Sequence, residues 1–98
     1  MPSPTAHIGF LTVELHIPDA QSLKDKRRIL LSLKERIKSH HNVSAAEIGE
    51  MDKWQLAYLG ICMVANEKAR VDECLQKILN FMAGVDGVEI VRHSVEFL

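Results

Sequence analysis

The sequence predicts an α+β sandwich in the order β-α-β-β-α-β, with one four-stranded antiparallel sheet and both helices on one of its faces. Three observations lead there. Apolar and polar residues alternate from His7 to Ile17, and strand-like runs recur at Val43–Ile48, Gln55–Ala65 and Val88–Leu98. Two other stretches, Ser22–His41 and Asn66–Gly84, repeat apolar residues at helical spacing instead. Turn formers separate these segments, and neither linker nor low-complexity sequence interrupts them.

In the first strand, Leu11, Val13, Leu15 and Ile17 point one way and Phe10, Thr12, Glu14 and His16 the other. Pro18, with no N–H for the ladder, ends it. Ser22 is placed to cap the first helix, Asp25 suits its positive end, and Leu23, Ile29, Leu30, Leu33 and Ile37 form its buried arc. Lys26 falls on the same arc, so its stem is expected to pack while its ammonium reaches the rim. His40-His41-Asn42 closes the helix. Val43–Ile48 is a short strand of small residues, and Gly49–Lys53 is a hairpin loop.

The third strand is apolar on both faces, as an interior strand is. Asn66 is the expected N-cap of the second helix, whose arc holds Val71, Cys74, Leu75, Ile78, Leu79, Phe81 and Met82. Gly84 is expected to stop it in the left-handed conformation, before a turn at Val85-Asp86-Gly87. The last strand puts Val91, Val95 and Phe97 on one face. His93 falls there too, which predicts a β-bulge. Right-handed crossovers then place strands 1 and 3 in the centre. This is the ferredoxin-like arrangement: one domain over residues 7–98, preceded by a flexible tail at 1–6.

Ninety-eight residues, 47% hydrophobic and 26% charged, suit one globular domain with its own core. No apolar run has the length of a membrane span, and no basic start leads into a signal-like segment, so the chain reads as soluble and cytoplasmic, without a membrane partner. Cys62 and Cys74 sit in apolar runs, without the close pairing of a metal knuckle or redox motif, and read as reduced core thiols. No cofactor or metal is expected.

Several stretches together carry a resemblance: Val13-Glu14-Leu15-His16-Ile17-Pro18, Ser22-Leu23-Lys24-Asp25-Lys26-Arg27, Asn42-Val43-Ser44-Ala45-Ala46-Glu47-Ile48-Gly49, Asp52 and Trp54-Gln55. From about His7 to the C-terminus the chain resembles the YlxP-like family of small bacterial proteins of unknown function. The resemblance implies a ferredoxin-like fold and a gene found among translation and ribosome-maturation genes. It implies no substrate, cofactor or catalytic residue.

The net charge of −1 conceals an asymmetry: residues 22–41 carry +5 and the rest of the chain −6. Winding the helix at 100° per residue gathers Lys24, Arg27, Arg28, Lys34 and Lys38 on one flank, around Leu31. The flank is a solvated face in one reading and a phosphate-binding stripe in the other.

The sheet face without helices offers Phe10, Tyr58, Cys62 and Val64. This apolar patch suits a homodimer better than base stacking, since the third strand lacks the basic and aromatic spacing of RNA-recognition sheets. Glu14 and His16 share that face, and with Glu47 are weighed as a polar cluster. Trp54 is expected to lid the core or pack at an interface, with a ligand-stacking platform as the alternative.

No glycine-rich phosphate loop, zinc-protease helix or nucleophile elbow occurs. The acidic loop Pro18-Asp19-Ala20-Gln21 lacks the arginine that acylphosphatase chemistry, known on this fold, requires. The leading expectation is therefore a non-enzymatic RNA- or ribosome-associated binding protein, and the alternative is a dimeric interaction or regulatory module using the open sheet face.

Overall fold

The computed structural model describes residues 3–98. Met1 and Pro2, the start of the expected tail, lie outside the described residues, and Ser3–Ala6 are exposed and without regular structure. The elements follow in the expected order: β1 (His7–His16), α1 (Leu23–His40), β2 (Ser44–Gly49), β3 (Leu56–Ala65), α2 (Lys68–Ala83) and β4 (Glu89–Phe97). The strands form one sheet in the order β2-β3-β1-β4, antiparallel throughout. This is the ferredoxin-like topology, with β1 and β3 at the centre.

Alternation along β1 fixes the core. Leu11, Val13, Leu15 and Ile17 are fully buried beneath Leu30, Leu33 and Ile37 of α1 and Val71, Leu75, Ile78 and Met82 of α2, with Ala57, Leu59 and Ile61 from β3. Both helices thus cover one face. Gly9 on β1 makes room for α2: a Cβ there would collide with the Val71 and Leu75 side chains. The helices divide the sheet, α1 packing on β2 and α2 on β1, β3 and β4.

Caps and edges hold the corrections. Ser22 caps α1 as expected, its hydroxyl accepting from the Asp25 N–H at 3.0 Å, while the Asp25 carboxylate accepts from the Gln21 N–H at 3.0 Å. The N-cap of α2 is Glu67 rather than Asn66, and its side chain makes no capping bond. Gly84 closes α2 with φ −97°, not left-handed, and the positive φ (83°) belongs to Gly87 in the turn beyond. The expected bulge in β4 lies where the register on β1 shifts between Glu14 and Leu15. Val91 is left without a partner, so Ile90, opposite Leu15, takes the half-buried core position and Val91 turns to solvent. Cys62 and Cys74 are free and half-buried rather than deep in the core.

Candidate functional site

Helix α1 presents two populations of cations. Lys26 is fully buried, and its ammonium does not reach the rim: Nζ donates to the Glu50 carbonyl at 2.7 Å and the Leu56 carbonyl at 3.1 Å, and stands 2.8 Å from Oε2 of Glu47. That oxygen is enclosed and has no aligned hydrogen bond, so the ammonium charge is its compensation. Glu50 itself takes a left-handed φ of 59° where the β2–β3 connection begins, and Leu56 is the first residue of β3 beyond it. Gln55 ties the same connection to the β1–α1 loop, donating from Nε2 to the carbonyls of Pro18 and Ala20, both at 3.1 Å.

Glu47 therefore does not join Glu14 and His16. It pairs with Leu59 in the ladder and so shares the helix-covered face, whereas Glu14, opposite Tyr58, lies on the uncovered one. The polar cluster splits in two. On the bare face, Oε2 of Glu14 accepts from the Tyr58 hydroxyl at 3.1 Å and forms an ion pair with Arg92, whose Nε stands 2.7 Å away. His16 instead meets Glu89, Nδ1 to Oε2 at 3.1 Å. The Tyr58 phenol is pushed above its usual range, first by loss of solvent, then by its hydrogen bond to Glu14 and that carboxylate's charge, while Arg92 opposes. Thr12, His93 and Ser94 complete a shallow pocket of ≈ 230 Å³ around this group.

The four proposed interface residues do share the bare face. The Phe10 ring lies across Gly60 with Ile48 beside it, because glycine leaves the space a Cβ would fill. Cys62 stands opposite Phe10, and Val64, opposite Ile8, is 58% exposed. Trp54 does not lid the core: it is 53% exposed and, with His16, Asp52, Lys53 and Gln55, lines an open depression at the sheet end. On the other side of the molecule, Sγ of Cys74 meets Nδ1 of His41 at 3.5 Å, and burial pushes the thiol up, away from a reactive thiolate.

The second population is the flank. Of the twelve lysines and arginines, five form ion pairs among the described residues: Lys26, Lys53, Arg70, Lys77 and Arg92. Arg36 lies over the Phe81 ring at 4.9 Å and Lys68 over Phe97 at 4.7 Å. The five left over are Lys24, Arg27, Arg28, Lys34 and Lys38. They are exposed, Lys34 partly so, around an exposed Leu31. Glu35 shares the flank by helical winding and forms no ion pair among the described residues. Asp25 is engaged in the cap.

The sequence had shown this flank, but not that it was unpaired. It also missed Lys26–Glu47 and Arg92. The readable signals were a lysine inside an apolar helical arc and an acid at the inward parity of a small-residue strand.

These features define a class: a small ferredoxin-like sandwich with one bare sheet face, no cluster of metal-ligating side chains among the described residues, and no described helix long and apolar enough to cross a membrane. Residues 8–95 match the family described as "Protein of unknown function (DUF503)", and the chain belongs to that family. It is 38% identical over 82 residues to the uncharacterized protein YlxP of Bacillus subtilis (strain 168), covering 84% of this chain and 89% of that one. Among solved structures it is similar to the de novo designed protein Foldit4, with a TM-score of 0.55 and 13% identity over 95% of this chain and 96% of that one. That likeness concerns the fold alone.

Proposed function

We propose that the protein is a non-enzymatic RNA-binding protein, associated with RNA or the ribosome, that holds phosphates on α1 through Lys24, Arg27, Arg28, Lys34 and Lys38. The observation that carries this reading is the pairing pattern: the cations without an acid or aromatic partner among the described residues are the five of this flank. Three of the five are lysines, a residue depleted in protein–protein interfaces, and Leu31 is the flank's only apolar side chain. A phosphate backbone needs no apolar contact, since affinity comes from released counterions.

Fluorescence anisotropy with a labelled RNA hairpin tests it. Affinity is expected to fall steeply with added salt, and the triple variant Lys24→Glu, Arg27→Glu, Arg28→Glu is expected to lose binding. Unchanged affinity in that variant rejects the flank.

A second reading concerns the bare face, where Ile48 and Val64 are 50% and 58% exposed beside Phe10 and Tyr58. A second copy seated there would cover these side chains and leave the flank free, since α1 covers the opposite face. Light scattering at micromolar concentration tests this: a dimer that Val64→Glu dissociates supports it, and a monomer rejects it.

A further inference from the structure

The two edges of the sheet differ. Edge β4 carries Glu89, Arg92, His93 and Glu96 in exposed positions and is interrupted by the unpartnered Val91. Exposed charges and a bulge are usual protections against pairing with another chain; of these, β2 shares the bulge but not the exposed charges. Edge β2 reads Ser44-Ala45-Ala46-Glu47-Ile48-Gly49, and its one charge is turned inward to Lys26. Its register on β3 is regular from Ser44 to Glu47 and shifts at the unpartnered Ile48, as that of β4 does at Val91, and its outer hydrogen-bonding groups have no strand beside them.

Part of the cationic flank borders this open edge; Arg28 lies toward the other side, in the hollow that faces the exit loop of α2. Arg36 lies over Phe81, and Ile29, Ser32 and Arg36 line a hollow with Val85, Asp86 and Val88, so this side of α1 faces α2 and its exit loop. Arg27, Lys34 and Lys38 lie about half a turn around the helix from Arg36, on the side away from α2. Since α1 packs on β2, that side overlooks the outer edge of the sheet. The flank from Lys24 to Lys38 runs about 21 Å, and the six residues of β2 run about 20 Å.

We infer that the angle between α1 and β2 is a seat for single-stranded RNA, with phosphates on Arg27, Lys34 and Lys38 and base edges on the outward N–H and C=O groups of β2. The inference rests on the phosphate-binding reading of the flank and adds which form of RNA it takes. An unpaired strand offers base edges that a duplex hides, and backbone N–H and C=O groups can serve as donor and acceptor to them.

Two other occupants fit less well. A second copy added edge to edge about a twofold axis would bring two cationic flanks together. An added peptide strand draws its specificity from side-chain pockets, and Ser44, Ala45, Ala46 and Gly49 are too small to wall any.

The test pairs two probes with one structural readout. The intact protein is titrated with an unstructured RNA of roughly 10–12 nucleotides and with the duplex of the same sequence. Charge alone favours the duplex, whose phosphates are denser. Binding to the single strand roughly tenfold tighter, with slowed amide exchange at alternate residues of Ser44–Gly49, supports the seat. Equal or tighter duplex binding without change in β2 overturns it and leaves the flank reading standing. No binding to either RNA at low salt overturns both. Slowed exchange in β2 with polyglutamate but not with RNA gives the edge to an acidic peptide, and slowed exchange that grows with protein concentration alone gives it to a second copy. Either result also overturns the seat.

Discussion

Lys26 and Arg27 are neighbours in sequence and opposites in circumstance. Lys26 is fully buried, with two carbonyls and a carboxylate around its ammonium, while Arg27 stands in solvent without an acid partner among the described residues. A single turn of helix thus holds both a cation that secures the fold and cations that the fold does not use. Position relative to the sheet, rather than residue type, sets the role of each.

The largest effect that can break this contrast is at Lys26. Lys26→Met removes the ammonium from a closed site and leaves the Glu47 carboxylate uncompensated, which is expected to cost about 3–5 kcal/mol in urea unfolding. Adding Glu47→Leu to Lys26→Met should recover much of that loss, because it removes the stranded charge. A double variant no more stable than the single one would show that the carbonyls of Glu50 and Leu56, rather than the ion pair, hold Lys26 in place. Ser22→Ala comes next: it removes the cap on the Asp25 N–H and should cost about 1 kcal/mol. Neutralising Lys24, Arg27 and Arg28 together to Gln should change stability by less than about 0.5 kcal/mol per residue, while weakening RNA binding. A large stability loss there would mean that the flank also belongs to the fold.

The smallest predicted signal is spectroscopic. The Tyr58 phenol should ionise, followed by ultraviolet absorbance, above the range of free tyrosine, and Glu14→Gln should bring it back toward that range. Because the folded state favours the protonated phenol, its contribution to stability is present below the ordinary tyrosine range and is lost as pH rises through the raised value.

The fold was legible because its periods were clean. Strict alternation over Leu11–Ile17 and the helical arcs of α1 and α2 fixed the element order, and the crossover rule did the rest. What stayed hidden depended on register and on loops returning in space. Whether Ile90 or Val91 faced inward turned on a bulge whose exact position no local pattern encodes. Arg92 could be matched to Glu14 only once that register was known. The fate of the Lys26 ammonium depended on carbonyls 24 and 30 residues away, one at a left-handed residue that is a glutamate rather than a glycine and one at the start of β3. The flank itself was visible, but its lack of partners was a fact about every other acid in the chain.

The hollow at Gly60 has a further consequence. With the Phe10 ring laid across the glycine and Ile48 alongside, the middle of the bare face is paved rather than studded. A tile gives a partner little to grip. The directional groups of that face stand to one side of it, in the Glu14–Arg92 pair toward β4.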